Sequence, residues 1–255
     1  MENEKLVSFD LYANFGFFRK PETNEGVNLS FNMMHKPALL GILGAIIGLD
    51  GYKEKGKEPE YLQKLKSLKL GIKPLDDENG NFQKIVIKYS NTVGYANKGT
   101  NYLTEEATLI KPGFRCYLLL DLSNEDHIKL GEYLKEGKAE YLPYFGKNEF
   151  YAWWKPDSYE ECDFSKTDNI NKKIRIDSLF LKTEKLNEDK DIEFDLFDEQ
   201  EKTFMFFERL PSGFDEELMQ YQLNKFAFTN LKLTPKSILS NLFYLKDTDK
   251  YVQLI

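Results

Sequence analysis

FDLYANFGFFRKPET, residues Phe9 to Thr23, opens as an apolar strand and ends on Phe17, Phe18, Arg19 and Lys20 before Pro21 breaks the run. A strand that finishes in two rings and two adjacent cations puts a stacking surface beside positive charge, the combination that holds a base and its phosphate. It is also an ordinary way to finish a strand. The strand is expected over about residues 5–15. Outward from it, PALLGILGAIIGL, Pro37 to Leu49, reads as a buried helix, well short of the roughly 20 apolar residues that cross a bilayer. Gly41, Gly44 and Gly48 share one face of that helix, where tight packing on a sheet is the expected reason for them. Pro37 suits the first helical position, and His35 and Lys36 precede the N–H groups of the helix start, a place that welcomes a phosphate.

The pattern continues with a second helical stretch, EPEYLQKLKSLKL, in which Tyr61, Leu62, Leu65 and Leu68 recur at helical spacing. FQKIVIKYS then alternates as a strand. The polar, glycine-marked segment 91–113 is too long for a tight turn, and FRCYLLLDL is the next strand. SNEDHIKLGEYLKEG starts a helix with Ser123 as its cap and ends it at Gly137; a strand is expected in AEYLPYFG. Strand, helix, long hairpin-like segment, strand, helix, strand is the skeleton of a βαββαβ ferredoxin-like domain with an extended hairpin inserted. Beyond Trp154 the segments KIRIDSLFLK, DIEFDLF, KTFMFFERL, QLNKFAFTNLKL and KYVQLI read as successive strands. The expected fold class is α+β, with residues 1–152 as the ferredoxin-like domain and 153–255 as a smaller β-rich C-terminal lobe.

Charge is distributed unevenly. Residues 1–120 hold 16 Lys or Arg against 14 Asp or Glu, and residues 121–255 hold 19 against 28. A bulk electrostatic grip on polyanions is therefore excluded, and any nucleic-acid contact has to be local. Cys116 and Cys162 have neither CxxC spacing nor a disulfide framework, which suits a reducing cytoplasm and supplies no metal site. The N-terminus lacks the charged and apolar regions of an export signal, so a cytoplasmic location without membrane association is expected. No GxxxxGK[ST], HExxH or His/Cys cluster is present, and GILGAIIG lies inside an apolar helix, so no cofactor is expected. The acids of DIEFDLF alternate with Ile192, Phe194 and Leu196 as the wet face of a half-buried strand, which disfavours a two-metal nuclease.

Four segments, FDLYANFGFFRKPETN, PALLGILGAIIGLDGY, TEEATLIKPGFRCYLLLD and LPYFGKNEF, resemble in order and spacing the fifth CRISPR-associated protein family, Cas-five, of the RAMP superfamily. The resemblance covers most of residues 5–155 and is nearest in general look to the subtype I-B branch. It implies an RRM-like domain with a β-hairpin thumb at about residues 90–111, in a subunit of a type I Cascade complex. Such a subunit binds and caps the 5′ handle of the crRNA in antiviral defence. Its partners would be that handle and the backbone and large subunits, with target DNA reached through the assembled complex. The resemblance places RNA-contacting groups at Arg19 and Lys20 after the first strand, at His35 and Lys36 before the first helix, and at Lys88, Tyr89, Asn91, Lys98 and Asn101 around the thumb. Gly146 and Lys147 match a glycine loop where bare backbone can approach a phosphate.

An alternative is enzymatic. In the subtype I-C branch the Cas-five-like protein cuts precursor RNA without metal, using a Tyr, Lys and His set that includes an adjacent Lys-His pair. Here only His35 and His127 exist and neither follows a lysine, so His35, Lys36 and Tyr12 or Tyr52 form the only available set. No catalytic residue is assigned. A third reading is a purely structural subunit that contacts protein partners alone.

Overall fold

The computed structural model describes residues 3–22, 26–75, 79–91, 102–167, 170–182, 192–197, 202–215, 217–218 and 220–255. The first strands are β1 (Glu4–Ala13), β2 (Phe15–Gly16), β3 (Phe18–Arg19) and β4 (Val27–Phe31). Helices α1 (Lys36–Ile47) and α2 (Glu60–Leu65) follow, then β5 (Lys69–Leu75), β6 (Lys84–Asn91), β7 (Tyr102–Ile110), β8 (Gly113–Asp121), α3 (Glu125–Glu136), β9 (Ala152–Trp154) and β10 (Glu160–Cys162). The regular elements that follow are strands, β11 (Phe164–Thr167), β12 (Phe180–Leu181), β13 (Met205–Asp215), β14 (Gln220–Thr229), β15 (Leu242–Leu245) and β16 (Lys250–Gln253), and residues 192–197, expected as a strand, make only the bridge from Phe194 to Leu233.

The central sheet runs β10-β1-β8-β5, every pairing antiparallel. Counting β9 and β10 as one interrupted strand, this is the fourth, first, third and second strand of a βαββαβ unit, the ferredoxin-like order that the sequence pattern implies. Both segments of the fourth strand pair with β1, at Leu11–Ala13 and at Leu6–Ser8. In the gap between them the Asp10 amide donates to Ser158 Oγ at 3.1 Å, a side-chain acceptor in place of a main-chain one. Asp10 and Arg115 face each other across β1 and β8, the guanidinium donating to both carboxylate oxygens at 2.7 and 3.0 Å.

Alternation along β1 and β8 sends residues to two separate cores. Val7, Phe9, Leu11, Cys116, Leu118 and Leu120 join the helices, while Leu6, Tyr117 and Leu119 pack with Phe243, Leu245, Val252 and Leu254 of the C-terminal strands. The larger core also takes in Leu179, Leu210, Phe226 and Phe228, so apolar packing is continuous between the N-terminal elements and β13–β14. Glu208 of β13 fastens this junction: its carboxylate accepts from the Asn32 and Met33 amides and pairs with Lys20 at 2.8 Å.

Several elements differ from the sequence reading. The helical stretch after Pro59 stops at Leu65, because KLGIKPL is β5, paired with β8 and hydrogen-bonded to Ile255 on its other side. Part of the long polar segment is strand β7, which pairs with β6 as a hairpin starting at Lys84 and returning to Ile110, earlier in the chain than residue 90. Residues 92–101, including Lys98 and Asn101, lie outside the described residues. AEYLPYFG forms a single bridge, Tyr144 to Tyr151, and the fourth strand is built by the segment after it. Asn124, not Ser123, caps α3, since the Ser123 hydroxyl is held by Asp121. The glycine face of α1 meets α2 instead of the sheet: a Cβ on Gly44 would overlap the Tyr61 side chain.

The start of α1 also differs. His35 is the N-cap, and its Nδ1 accepts from the Ala38 amide at 3.2 Å. Pro37, at the second helical position, has no N–H to offer. Most of the donor set that would attract a phosphate is therefore already used or missing. The His35 ring is buried among Phe18, Phe31 and Tyr221, and this burial holds its pKa down at about 3.

The loop after α3 returns to the end of β2, where the Phe17 amide donates to the Phe145 carbonyl at 3.0 Å. Gly146 there has φ +82°, and a Cβ would overlap the Phe17 carbonyl. Beneath it Phe18, Phe82, Phe114 and Phe145 form one ring cluster with centroids 5.2 to 6.4 Å apart.

Two stability measurements test these joints. Gly146→Ala combines a left-handed backbone with a steric overlap and is expected to lower unfolding stability by about 1–3 kcal/mol in a denaturant titration; an unchanged midpoint would mean the loop is not held against Phe17. For His35, the unfolded chain binds a proton near pH 6.5 and the folded chain only near pH 3, so its contribution is complete above pH 6.5 and is lost as pH falls toward 3. The slope reaches about 1.4 kcal/mol per pH unit. His35→Asn keeps a capping acceptor and is expected to flatten the stability profile between pH 6.5 and 4; identical slopes would show that the imidazole is not buried neutral.

Candidate nucleic-acid interface

The strand end, the helix and the loop converge on one groove of about 1000 Å³. Phe17, Phe18 and Arg19 form one wall, with the Gly146–Lys147 loop lying directly against Phe17; α1 supplies the floor from Pro37 to Ala45, and Tyr141, Leu142 and Tyr144 also line the groove. Tyr52 and Tyr61 stand beyond the floor, Glu106 reaches in from β7, and Tyr221 arrives from β14. Such a volume lies at the upper end of the ~300–1,000 Å³ typical of ligand sites, enough for more than one nucleotide.

Of the RNA-contacting positions that the resemblance implies, Arg19, His35, Gly146 and Lys147 line this groove, as do Phe17 and Phe18 of the strand end and Tyr52. Arg19 is exposed, and its guanidinium donates to Asn28 Oδ1 at 3.3 Å; among the described residues no carboxylate pairs with it. Lys147 is differently placed. Its ammonium contacts Glu106 at 2.7 Å and Glu149 at 3.1 Å and lies 4.7 Å from the Tyr89 ring centroid. Although partial burial works to lower its pKa, the bonds to Glu106 and Glu149 raise it above the ordinary lysine range. It is a locked cation with most of its field cancelled.

The other positions are scattered. Lys20 turns to Glu208 and lies over the Phe31 ring. Lys36 donates to the Ile255 carbonyl at 2.9 Å, away from the groove, and burial, then the charge of Lys69, lowers its pKa to about 8. Lys88 pairs with Glu105 across the hairpin at 2.8 Å. Tyr89 donates to Glu106 at 2.9 Å and so belongs to the knot that holds Lys147. Asn91 ends β6, and nothing is described of its side chain.

Glu106, Tyr61, Tyr141, Tyr144 and Tyr221 are groove residues that sequence reasoning did not single out. Glu106 sits in TEEAT within a segment read as loop; alternation from Leu103 to Leu109 would have marked it as strand. Tyr141 and Tyr144 were visible in EYLPYFG but read as strand residues. Nothing local marks Tyr221, which reaches the groove only because the β13–β14 hairpin packs beside α1. Among the described residues no helix is long and apolar enough to cross a membrane, and no group of three or more His, Cys, Asp or Glu could hold a metal ion.

No protein-family profile matches the chain, and no curated protein does. Among solved structures 33 chains match. One, described as a CRISPR RNA-guided surveillance complex, is 12% identical with a TM-score of 0.45, covering 89% of this chain and 91% of that one. A second, a CRISPR protein from Archaeoglobus fulgidus, is 14% identical with a TM-score of 0.48, covering 97% of each chain. A third, a type III-B Cmr-beta assembly bound to cognate target RNA, is 11% identical with a TM-score of 0.43, covering 98% and 99%. The solved structures to which this α+β chain is similar thus include several described as CRISPR proteins.

Proposed function

We propose that the protein is a non-catalytic, cytoplasmic RNA-binding subunit of a type I CRISPR surveillance complex, of the Cas-five family and subtype I-B, that holds and caps the 5′ handle of the guide RNA. The observation that carries this reading is the groove itself: Arg19, the Gly146–Lys147 loop and the aromatic rings beside α1 come from separate chain segments and meet around one cavity. The four-segment sequence resemblance supplies the identity of the RNA and of the complex. Residues 1–152 serve as the RNA-holding domain with the β6–β7 hairpin as its thumb. The β-rich 153–255 lobe completes the fourth strand of that domain's sheet through β9 and β10, covers the sheet's second face and adds Tyr221.

The arrangement accounts for RNA binding by an acidic chain. One exposed guanidinium and a neutralised lysine make a weak electrostatic site, so affinity has to come from stacking and shape within a groove completed by neighbouring subunits. The metal-independent nuclease reading is disfavoured by His35. A base for the 2′-hydroxyl needs an available lone pair, whereas Nδ1 already accepts from Ala38 and burial holds the ring neutral and weakly basic. The remaining nitrogen then carries the proton. A purely protein-contacting role leaves the groove's rings and Arg19 without a purpose.

The test uses the purified chain with end-labelled single-stranded RNA from its own repeat, with chelator present. The RNA is expected to be bound and recovered intact. Arg19→Ala, an exposed substitution, is expected to weaken binding several-fold and to reduce the slope of log affinity against log salt by about 0.7, the value for one phosphate on a single strand. Unchanged affinity and slope would remove Arg19 and the groove from the RNA role. A discrete cut abolished by His35→Asn would establish the nuclease reading instead.

A further inference from the structure

The groove has two unlike halves. Charge is confined to the end where Arg19, Lys147 and Glu106 lie. The other half contains no Lys or Arg among its lining residues and is floored by Ala38, Gly41 and Ala45. Ile42, also in the lining, shares this face of α1, so the floor is an apolar strip of small residues interrupted by one larger side chain. The Tyr61 ring stands against this strip, 3.7 Å from where a Gly41 Cβ would lie, and Tyr52, Tyr144 and Tyr221 complete the walls. Burial first, then the neighbouring phenols of Tyr52, Tyr221 and Tyr144, pushes the Tyr61 phenol well above its ordinary range. Tyr52 is 58% exposed on the segment after α1, an apolar ring held at the mouth of a cavity with little covering it. His35 also lines the groove, and because its Nδ1 accepts from the Ala38 amide its Nε2 carries the proton.

An apolar strip bounded by rings, with neutral groups that donate and accept, fits a planar heteroaromatic ring and offers nothing to a phosphate. Resting on the RNA-binding reading above, we propose that this half of the groove takes one unstacked nucleobase, seated on the Ala38–Gly41–Ala45 strip with Tyr52 closing over it and its phosphate toward Arg19. Tyr52 then serves as a stacking residue. The small side chains of α1 serve as the clearance the base needs, and the His35 Nε2–H is a fixed donor to an acceptor on the base edge.

The test compares octaadenosine with a ribose-phosphate octamer of the same length and charge but no bases, each titrated against the purified full chain. The base-free octamer is expected to bind at least about tenfold more weakly, the effect of one lost stack. Tyr52→Ala, on an exposed ring that the fold does not need, and Ala45→Leu, which fills the strip, are each expected to weaken octaadenosine about tenfold and leave the base-free octamer unchanged. Arg19→Ala is expected to weaken both. If Tyr52→Ala and Ala45→Leu affect the two oligomers equally, or neither, no base occupies this half, while an Arg19 effect on both would keep the RNA reading intact. If the wild-type chain binds neither oligomer, the RNA reading fails and this proposal falls with it.

Discussion

Two central strands, β1 and β8, are buried on both faces, and the rest of the molecule follows from covering them. A sheet with one wet face needs helices on one side only. Here Tyr117 and Leu119 point away from the helices and are buried, as are Cys116 and Leu118, which point toward them. The second face therefore requires its own cover, and β15, β16 and the segment to Ile255 provide it. Once those strands lie against the sheet, the β13–β14 hairpin is brought to the start of α1, where Glu208 ties it to Asn32, Met33 and Lys20.

The groove is a product of that closure. Its floor needs α1 to carry mostly small residues on one side, and Tyr61 fills part of that face without closing it. Its rim needs the Gly146 loop to approach the backbone of Phe17 more closely than any side chain at that position permits. Its charged end is nearly balanced, because Glu106, itself buried, holds Lys147 and Tyr89 together. Breaking that knot by removing Lys147 would leave a buried carboxylate unpaired, a change that affects folding as well as binding.

Much of the framework was legible in the sequence because it is written in local pattern. The apolar run Leu39 to Ile47, the dense strand FRCYLLLDL and the helix ended by Gly137 gave enough order to recognise βαββαβ. What was misread depends on distant partners. The helical spacing of Tyr61, Leu62, Leu65 and Leu68 runs past the end of α2, yet Lys69–Leu75 is a strand because β8 and Ile255 lie on either side of it. AEYLPYFG looks like a strand, but Pro143 and Gly146 bend it into a rim. For the site, the end of the first strand and the Gly146 loop could be found as residues, whereas the partners that neutralise Lys20, Lys88 and Lys147 could not. Glu105 and Glu106 reach Lys88 and Lys147 from β7, and Glu208 of β13 lies far along the chain from Lys20.

The interrupted fourth strand has a bearing on how this protein meets its neighbours. The outer edge of the central sheet is two three-residue pieces separated by a turn, with the Ser158 hydroxyl standing in for a main-chain acceptor. The opposite edge, along β5, is occupied by reciprocal hydrogen bonds between Leu70 and Ile255 and by the Leu179 amide on the Ile72 carbonyl. Neither margin offers a run of open backbone to a strand from another chain. The central sheet is therefore closed to extension from either side, and whatever approaches its margins meets side chains and not a ladder waiting for its next rung.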